Sequence, residues 1–363
     1  MPGAALSFSN FSSRAPRLEI IANGIPLAGA IEAEVTTNSH YAADRFHARL
    51  ALDADPGSAA FWAGAGEVLV DIRFSLGLGT AQSMILGAVD RVEIDPIQHL
   101  VRIEGRDLTA RLIESRTQES FSNRTASEIA TILAGRHRLT PVVTQTNTQV
   151  GRYYQDQHDR ITLDQFSRAM TEWDLLVWLA GQEGFQVFVR GTALYFQPAA
   201  QTPAIRAISV ADTLELRLER ALTLARDIEV VVKSWNSRQQ NAFTQTARGS
   251  TGGSGKGTAQ NVVLVRPNLS PDQALKLAQS TLADLTRHRM VLGLSMPGEL
   301  SLAPGDALAL SGSGGGFDQT YFVDSIHRRL SVRHGFTQYI RARNDNAGTQ
   351  TTTPAARVGS VTG

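Results

Sequence analysis

Residues 161–196 constrain the fold of this chain most, because they combine a long helix pattern, a glycine stop and a hairpin pattern. Thr162 and Gln165 stand at the spacing of a capping box, which predicts that a helix begins here. Apolar residues then recur every three or four positions, and this period places them on one buried helix face. They are Leu163, Phe166, Met170, Trp173, Val177 and Ala180. The pattern predicts one long helix that packs inside the protein.

Two glycines mark the end of this helix and the hairpin after it. Gly184 can adopt the left-handed conformation with which a helix ends at low energetic cost. Apolar and polar residues alternate over residues 185–190, and Gly191 with Thr192 has the composition of a two-residue turn. We therefore expect a helix followed by two short antiparallel strands, which form a scaffold without a candidate catalytic residue.

The charge balance excludes some classes of partner. Lys and Arg together number 35 and Asp and Glu 34, so no net charge attracts the chain to nucleic acid or to an anionic membrane. Charged residues make up 19% of the chain, which is below the roughly 25% usual in soluble domains and suggests that partners cover part of the surface. Short basic groups at residues 136–138 and 327–329 are interpreted as solvated charge.

The absence of cysteine excludes disulfides, thiol nucleophiles and cysteine-ligated metal sites. The first residues lack the pattern of a secretory signal, and no apolar run approaches the roughly 20 residues of a membrane span. We expect a soluble protein made in the cytosol. Its 363 residues are enough for two or three domains with separate cores.

Strand patterns dominate the first third of the chain. Short apolar or alternating runs follow one another without an intervening helix, and this spacing favours a small β-barrel or sandwich. The Asn23-Gly24 dipeptide predicts a tight turn between the first two runs. The runs lie at residues 18–22, 25–27, 46–52, 68–74, 85–92 and 100–104.

Helix signals mark the middle and the last third. Thr125 and Glu128 form a second capping-box pattern, which predicts a short helix. Ser270 and Gln273 flank a third helix start, with Pro271 at the first helical position, where no amide donor is needed. Strand patterns return at residues 141–143, 214–218, 228–235, 307–310, 320–326 and 336–343, and a glycine- and serine-rich segment interrupts them at 248–260.

These patterns predict an α+β fold that is mainly β, with two small β-barrel domains and an α/β domain between them. We expect the first barrel at residues 1–115, the α/β domain at 116–200, and the second barrel, with one helix, at 201–345. Residues 346–363 are small and polar, and they predict an extended tail that forms no core.

No residue is predicted to be catalytic or to bind a cofactor or a metal. The glycine loop at residues 249–257 differs from a phosphate-binding loop, which requires glycine where Ser250 stands and Ser or Thr where Gly257 stands. No GxSxG sequence occurs, and the histidines form no zinc-protease pattern. The eight histidines are His40, His47, His99, His137, His158, His288, His327 and His334.

Two carboxylate clusters are the alternatives for a reactive or metal-binding site. Asp53 and Asp55 form one cluster, and Asp90, Glu93 and Asp95 form the other. Either would suit calcium or an acid and base pair. Each cluster adjoins a proline, however, and polar strand ends carry such groups routinely. Structural turns are therefore favoured.

The four tryptophans provide another alternative, because indole rings stack on sugars and bases. We expect Trp173 and Trp178 to be buried, since both lie in the helix pattern of residues 161–196. Trp62 or Trp235, if exposed, would suit a carbohydrate-binding module.

A series of short motifs runs through most of the chain in a fixed order. A strand pair ends in GRDL at residues 105–108, and TASE at 125–128 opens a helix. EWDL at 172–175, LA at 179–180, EGF at 183–185 and LYF at 194–196 follow, and LAPGD at 302–306 and YFV at 321–323 come near the end. This order, over residues 15–345, resembles that of the phage late control protein D family of tail baseplate hub proteins.

The resemblance implies a homotrimer whose two β-barrel domains alternate around a ring with pseudo-six-fold symmetry. Such a ring adapts a hexameric tail tube to a trimeric central spike. The type VI secretion spike protein shares this hub, but its chain normally continues into a needle. Because this chain ends soon after residue 343, a hub of a phage or phage-like particle with a separate spike is favoured.

The same resemblance implies partners and a location. We expect contacts with the tail tube or a distal tail protein, with the spike protein and with other baseplate proteins, in a virion assembled in the host cytoplasm. We expect no enzymatic activity, no cofactor, no small-molecule substrate, no sequence-specific nucleic acid and no insertion into a membrane. The alternatives are a type VI secretion spike hub, a tail-associated peptidoglycan hydrolase that uses the cluster at residues 90–95, and the carbohydrate-binding module.

Overall fold

Strands provide most of the regular structure in the computed structural model of the chain, which is mainly β. The structure describes residues 15–39, 41–52, 57–77, 79–117, 121, 123–147, 149–150, 171–198, 204–220, 228–236, 241–249, 260–266, 269–286, 290–344 and 357–360. Within these ranges, no helix combines the length and the apolar character needed to cross a membrane.

The first third forms strands because apolar side chains alternate with polar ones, so that one face of each strand is buried. The strands are β1 (Pro16–Ala22), β2 (Ile25–Leu27), β3 (Ala30–Asn38), β4 (Arg45–Ala51), β5 (Leu69–Leu76), β6 (Gln82–Asp95) and β7 (Leu100–Asp107). Helix α1 (Ala59–Gly64) lies between β4 and β5, and α2 (Thr109–Glu114) follows β7. The Asn23-Gly24 turn is confirmed, because both residues have positive φ and Ala22 pairs with Ile25.

The middle third contains helices packed beside a small sheet. It consists of α3 (Ala126–Arg136), β8 (Thr140–Val143), α4 (Glu172–Glu183), β9 (Phe185–Arg190) and β10 (Ala193–Pro198). The Thr125 capping box is confirmed, since its hydroxyl accepts from the Glu128 amide and the Glu128 carboxylate accepts from the Thr125 amide. The hairpin of β9 and β10 is also confirmed, with Gly191 at a φ of +58° in its turn.

The prediction of a single helix from residue 162 is wrong. Thr171 has extended backbone angles and caps α4, with a capping box to Asp174, so a separate helix begins at Glu172. Thr171 also forms an isolated bridge with Arg116, which is incompatible with a helix that continues through it. Thr162, Leu163, Gln165, Phe166 and Met170 lie outside the described residues. The predicted stop at Gly184 is confirmed, because this residue is left-handed with a φ of +69°.

The last third contributes strands from two sheets and one long helix. The strands are β11 (Ile205–Ser209), β12 (Glu215–Arg220), β13 (Ile228–Asn236), β14 (Asn241–Gly249), β15 (Gln260–Val265), β16 (Met290–Pro297), β17 (Ala307–Ser311), β18 (Thr320–Ser331), β19 (Gly335–Arg343) and β20 (Arg357–Ser360). Helix α5 (Pro271–Thr286) begins where Ser270 and Gln273 predicted it, and each of their side chains accepts from the other's amide. A single 3₁₀ turn covers Val210–Asp212.

One long sheet joins the first third to the last. Its strand order is β12-β16-β19-β18-β3-β4-β7-β6-β5-β1-β2, and β11 and β17 extend it from β18. Two smaller sheets have the orders β8-β10-β9 and β15-β13-β14-β20. Part of the predicted tail is therefore a strand, because β20 pairs with β14 at the edge of its sheet. Among the described residues, the long sheet is open and does not close into a barrel.

Within the described ranges, four clusters of buried side chains form the core. The first lies under β1–β7, and Leu330 and Phe336 from the last third belong to it. Phe336 packs edge-on against Phe74 at 5.3 Å between ring centres. The second cluster joins the helices of the middle third to β9 and β10, the third lies within the last third, and the fourth joins α5 to β13 and β14. The first and last thirds thus share one core as well as one sheet.

Candidate functional site

The junction between the first and last thirds is the pairing of β3 with β18. The two strands are antiparallel over seven residue pairs, from Ser325 with Asn38 to Ser331 with Glu32. The pairing holds Asp324 beside Ser39, whose amide donates to the Asp324 carbonyl at 2.8 Å and whose hydroxyl donates to its carboxylate at 3.1 Å. This ladder fixes how the two parts of the chain are arranged.

A buried carboxylate crosslinks this junction. Glu32 of β3 is only 5% exposed and accepts from Arg329 of β18. Its other carboxylate oxygen lies 3.4 Å from Arg49 of β4, so one acid bridges guanidinium groups of two neighbouring strands. Arg329 also lies 3.3 Å from Glu34. An ion pair between a buried acid and partly exposed arginines is expensive to break, because removal of either partner leaves a polar group without its bonds.

His327 adds a second polar contact across the same strands. Its Nδ1 lies 2.9 Å from the Thr36 hydroxyl, and its Nε2 lies 3.7 Å from Glu34. The interpretation of residues 327–329 as solvated charge holds only in part, since the side chains of His327 and Arg329 are 41% and 43% exposed but pair across the junction. Arg328 points the other way, is 4% exposed, and donates to the carbonyls of Glu299 and Leu302.

The group at residues 136–138 requires a similar correction. Arg136 and His137 both contact the carboxylate of Glu172, which is 2% exposed at the start of α4. The charges that end α3 therefore lock it to α4 within the middle third. No sequence signal near residue 136 indicated this partner, because the two groups are 36 residues apart.

A cleft of about 660 Å³ opens where the first third, the β9–β10 hairpin and the last third meet. Asn38 and Met84 line it from the first third, Phe188 from the hairpin, and Leu302 and Val323 from the last third. Its charged lining residues are Asp44, Asp107, Arg190, Asp306, Arg328 and Arg343. The cleft thus brings together charged side chains from three parts of the chain.

Asp44 is a partly buried acid in the lining of this cleft. Burial raises the pKa of Asp44 to about 6, against hydrogen bonds from Asn38 and the positive charge of Arg190, which lower it. The Asn38 amide donates to the carboxylate at 2.8 Å. The group therefore changes charge between mildly acidic and neutral pH.

Asp107, at the end of β7, is a buried acid beside the partly buried Asp44. Its amide donates to the Asp44 carbonyl at 3.0 Å, and its carboxylate accepts from the amide and the hydroxyl of Thr109 at 3.2 and 3.0 Å. Burial raises the pKa of Asp107 well above its ordinary value, and the charge of Asp44 adds to the shift. Asp107 also fixes the turn from β7 into α2, which explains an acid at this point of the GRDL motif.

The arginines of the cleft have structural partners. Arg343 lies 2.8 Å from Asp324, and Arg190 stacks on the Phe188 ring with its guanidinium carbon 5.6 Å from the ring centre. In the described part of the chain, no group of three or more His, Cys, Asp or Glu residues has the geometry to hold a metal ion. Arg343 and Arg190 are therefore held by contacts within the protein.

The alternative cluster at residues 90–95 is spread along one strand and held in place. Asp90 forms two hydrogen bonds with Arg106, at 2.6 and 2.8 Å, and Glu93 pairs with Arg102 at 2.6 Å. Asp95 accepts from the amides of the turn that follows it. Each carboxylate thus has a structural partner, as the turn interpretation expects. Asp53, Asp55 and residues 250–257 of the glycine loop lie outside the described residues.

The four tryptophans differ in how much of each side chain is exposed. Trp173 is 4% exposed and its indole donates to the Tyr41 carbonyl at 3.1 Å, so its predicted burial is confirmed. Trp178 is only partly buried at the edge of the second core cluster. Trp62 is 5% exposed within the first cluster, whereas Trp235 is 44% exposed. The carbohydrate hypothesis is therefore left with Trp235 alone.

Comparison with known proteins identifies similar sequences and folds. A family model described as the Alg8 N-terminal domain matches residues 47–331. Among curated proteins, no sequence matches the chain.

Several solved structures share the fold over nearly the whole chain. A tail protein from Neisseria meningitidis MC58 has a TM-score of 0.68 and 14% identity, with 92% of this chain and 98% of that chain covered. The 43 kDa tail protein of prophage MuSo2 from Shewanella oneidensis has a TM-score of 0.66 and 15% identity, with 90% and 98% covered. The E. coli c3393 protein, a type VI secretion component, has a TM-score of 0.56 and 10% identity, with 93% and 79% covered.

Proposed function

The chain belongs to the Alg8 N-terminal domain family, and from its fold we propose that it is a structural hub protein in the tail of a phage or phage-like particle. The observation that carries this proposal is the full-length likeness to the Neisseria tail protein, of which 98% is covered. The proposal is thus an argument from likeness of fold.

We propose a homotrimer in which the first and last thirds take equivalent places around a ring. The shared sheet supports this arrangement, because the β3–β18 ladder and the Glu32–Arg329 ion pair connect the two thirds. In this proposal each third curves as a barrel-like unit, residues 1–115 and 201–345. Residues 116–200 brace them from outside, and 346–363 form the tail.

The proposed partners are the tail tube or a distal tail protein on one side of the ring and the spike protein on the other, with other baseplate proteins around it. The proposed location is the tail baseplate of a virion. We propose no enzymatic activity, no cofactor, no small-molecule substrate and no nucleic-acid specificity. The pairing of Asp90 with Arg106 and of Glu93 with Arg102 supports this, because both acids are held by ion pairs at a sheet surface.

A type VI secretion spike hub is the second candidate. The likeness to the E. coli c3393 protein favours it, since that protein is described as a component of the type VI secretion system with similarity to phage tail proteins. The two candidates differ in the particle that contains the chain, which the location experiment below distinguishes.

The mass and location of the protein test the hub proposal. We expect native mass spectrometry of the purified chain to give three times the monomer mass of 39.2 kDa. Antibody labelling in electron micrographs of particles is expected at one tip of each tail. A monomer that labels neither phage tails nor secretion tubes would refute a hub of either kind, and clearing of cell walls in a zymogram would return the hydrolase hypothesis.

A further inference from the structure

Two hairpin turns, one from each third, project from the long sheet at the same end of its strands. The first tip, residues 96–99, joins β6 to β7, and the second tip, residues 332–334, joins β18 to β19. Backbone hydrogen bonds connect both turns to the ends of neighbouring strands. The Leu52 amide donates to the His99 carbonyl at 2.8 Å, and the Val332 amide donates to the Ile31 carbonyl at 3.1 Å. The registers of β18 with β3, of β3 with β4 and of β4 with β7 place both turns at the same end of these strands.

The first tip is held rigid by the side chain at the end of its strand. The Asp95 carboxylate accepts from the amides of Ile97 and Gln98 at 3.0 and 2.9 Å. The turn then closes through His99, which is left-handed with a φ of 51°. The tip thus has one well-defined backbone shape.

The second tip is built in the same way. The Ser331 hydroxyl accepts from the amides of Arg333 and His334 at 3.2 and 3.4 Å. The turn closes through Gly335, which has a φ of +74°. In both tips a side chain accepts from the amides two and three residues later, and the residue four later is left-handed. The two thirds therefore carry matched turns.

Each tip exposes one aliphatic side chain. Ile97 is 90% exposed and Val332 is 79% exposed, more than any other large apolar residue in the described ranges. Arg333 and His334 are also exposed, so the second tip has a basic rim. Rigid turns that hold apolar side chains in water have already lost the conformational freedom that binding usually removes. Such side chains are suited to sockets on another protein.

We propose that the two tips are the contacts through which the hub docks on the end of the tail tube, each in an apolar socket with a polar or acidic rim on one tube subunit. This inference rests on the proposed hub function. The number and position of the tips support it. Two matched tips per chain give a trimer six tips on one face, one for each subunit of a six-fold ring.

Charged substitutions at the tips test the docking. Ile97→Glu and Val332→Glu are expected each to weaken co-sedimentation with tail tubes isolated from the particles about tenfold, and the double variant more than either. All should keep the trimer mass, since both positions are solvent-exposed. Ile205→Glu is the matched control, because Ile205 is 66% exposed and pairs with Ala307, which pairs with Phe322 at the end of β18 opposite to the second tip. This variant should bind normally.

The outcomes separate the inference from the hub proposal. If the double variant is trimeric and binds tubes like the wild type, the docking inference is wrong and the hub proposal stands. If the tip variants are monomeric, the tips lie between subunits and the inference is also wrong. If the wild-type chain forms no trimer and contacts no tube, both fail.

The absence of cysteine permits a direct second test, because an introduced thiol is the only one in the chain. Ile97→Cys and Val332→Cys, each coupled to a benzophenone maleimide, are expected to crosslink to the tube protein on illumination. Ile205→Cys should not. Crosslinks from either tip to the spike protein would reverse the proposed orientation and overturn the inference.

Discussion

Asp44 and Asp107 show how two acids make one region of the protein sensitive to pH. Both acids lie where the first third meets the β9–β10 hairpin, and burial raises the pKa of each. A raised pKa in the folded state means that the protonated form is the one that folding favours. At neutral pH the chain therefore keeps an ionised Asp44 in surroundings that oppose its charge.

Asp44→Asn is expected to flatten part of the pH dependence of stability. The folded-state pKa of about 6 exceeds the ordinary value of 3.8, so the folded protein binds more protons between these pH values and loses stability as the pH rises through them. The free energy of unfolding of the variant minus that of the wild type should be larger at pH 8 than at pH 4, by about 1–3 kcal/mol. Urea unfolding at both pH values measures this difference. Equal differences at both would contradict the prediction.

Glu172→Ala tests the contact between α3 and α4. The substitution removes a 2% exposed carboxylate and leaves Arg136 and His137 without their shared partner. We expect a loss of about 1–3 kcal/mol in the free energy of unfolding, measured by urea denaturation. Glu114→Ala is the control, because that acid is 66% exposed in its pair with Arg106 and should cost under about 1 kcal/mol. Similar losses in both would show that burial of Glu172 contributes little.

At the scale of elements, the sequence predicted starts and turns better than long-range partners. The capping signals of Thr125 and Ser270 and the turns at residues 23–24 and 191–192 depend on neighbours within four residues, and all are confirmed. Strand β3 was missed because its inward residues include small ones such as Ala33, so its alternation carries little hydrophobic signal. The start of α4 was misplaced because the apolar period continued through Thr171.

The candidate site was not predictable for a related reason. Asp44 and Asp107 are 63 residues apart, and their approach depends on the pairing of β4 with β7. No local sequence motif contains both acids. The predicted burial of Trp173, by contrast, followed from helical periodicity alone.

Gly105→Ala tests the close approach of β6 and β7. An added Cβ would lie 2.1 Å from the Ala88 carbonyl oxygen and 2.6 Å from the Phe46 ring, so backbone and ring must both move. We expect a destabilisation of about 1–3 kcal/mol, measured by thermal or urea unfolding. Gly135→Ala in α3 is the opposite control, since its Cβ meets open space and alanine favours the helix by up to about 1 kcal/mol. A neutral Gly105→Ala would show that the strands separate easily.

At the scale of the molecule, the shared sheet makes the two outer thirds one mechanical unit. Leu330 and Phe336 lie in the core of the first third, and the Glu32–Arg329 pair crosses the same boundary. The β13–β14 sheet with α5 has a core cluster of its own. Local opening should therefore spread across the junction more readily than into that sheet.

Hydrogen exchange of the double variant Glu32→Ala with Arg329→Ala tests this coupling. The amides of β3 and β18 are expected to lose protection together, by about tenfold, because both strands lose the bridge that ties them. The amides of β13 and β14 should be unchanged. Faster exchange confined to one strand, or spread equally over all sheets, would contradict the shared unit.

The β3–β18 ladder also affects how the chain is made. Thr36 and His327 touch although 291 residues separate them in the sequence. At synthesis rates of about 5–20 residues per second, β3 leaves the ribosome roughly 15–60 s before its partner exists. Throughout that interval one edge of the nascent first third has no neighbour, so newly made chains are most exposed to mispairing with one another before β18 emerges. A lower level of expression, which leaves fewer nascent chains to meet one another, or a chaperone that covers strand edges, should raise the yield of folded protein.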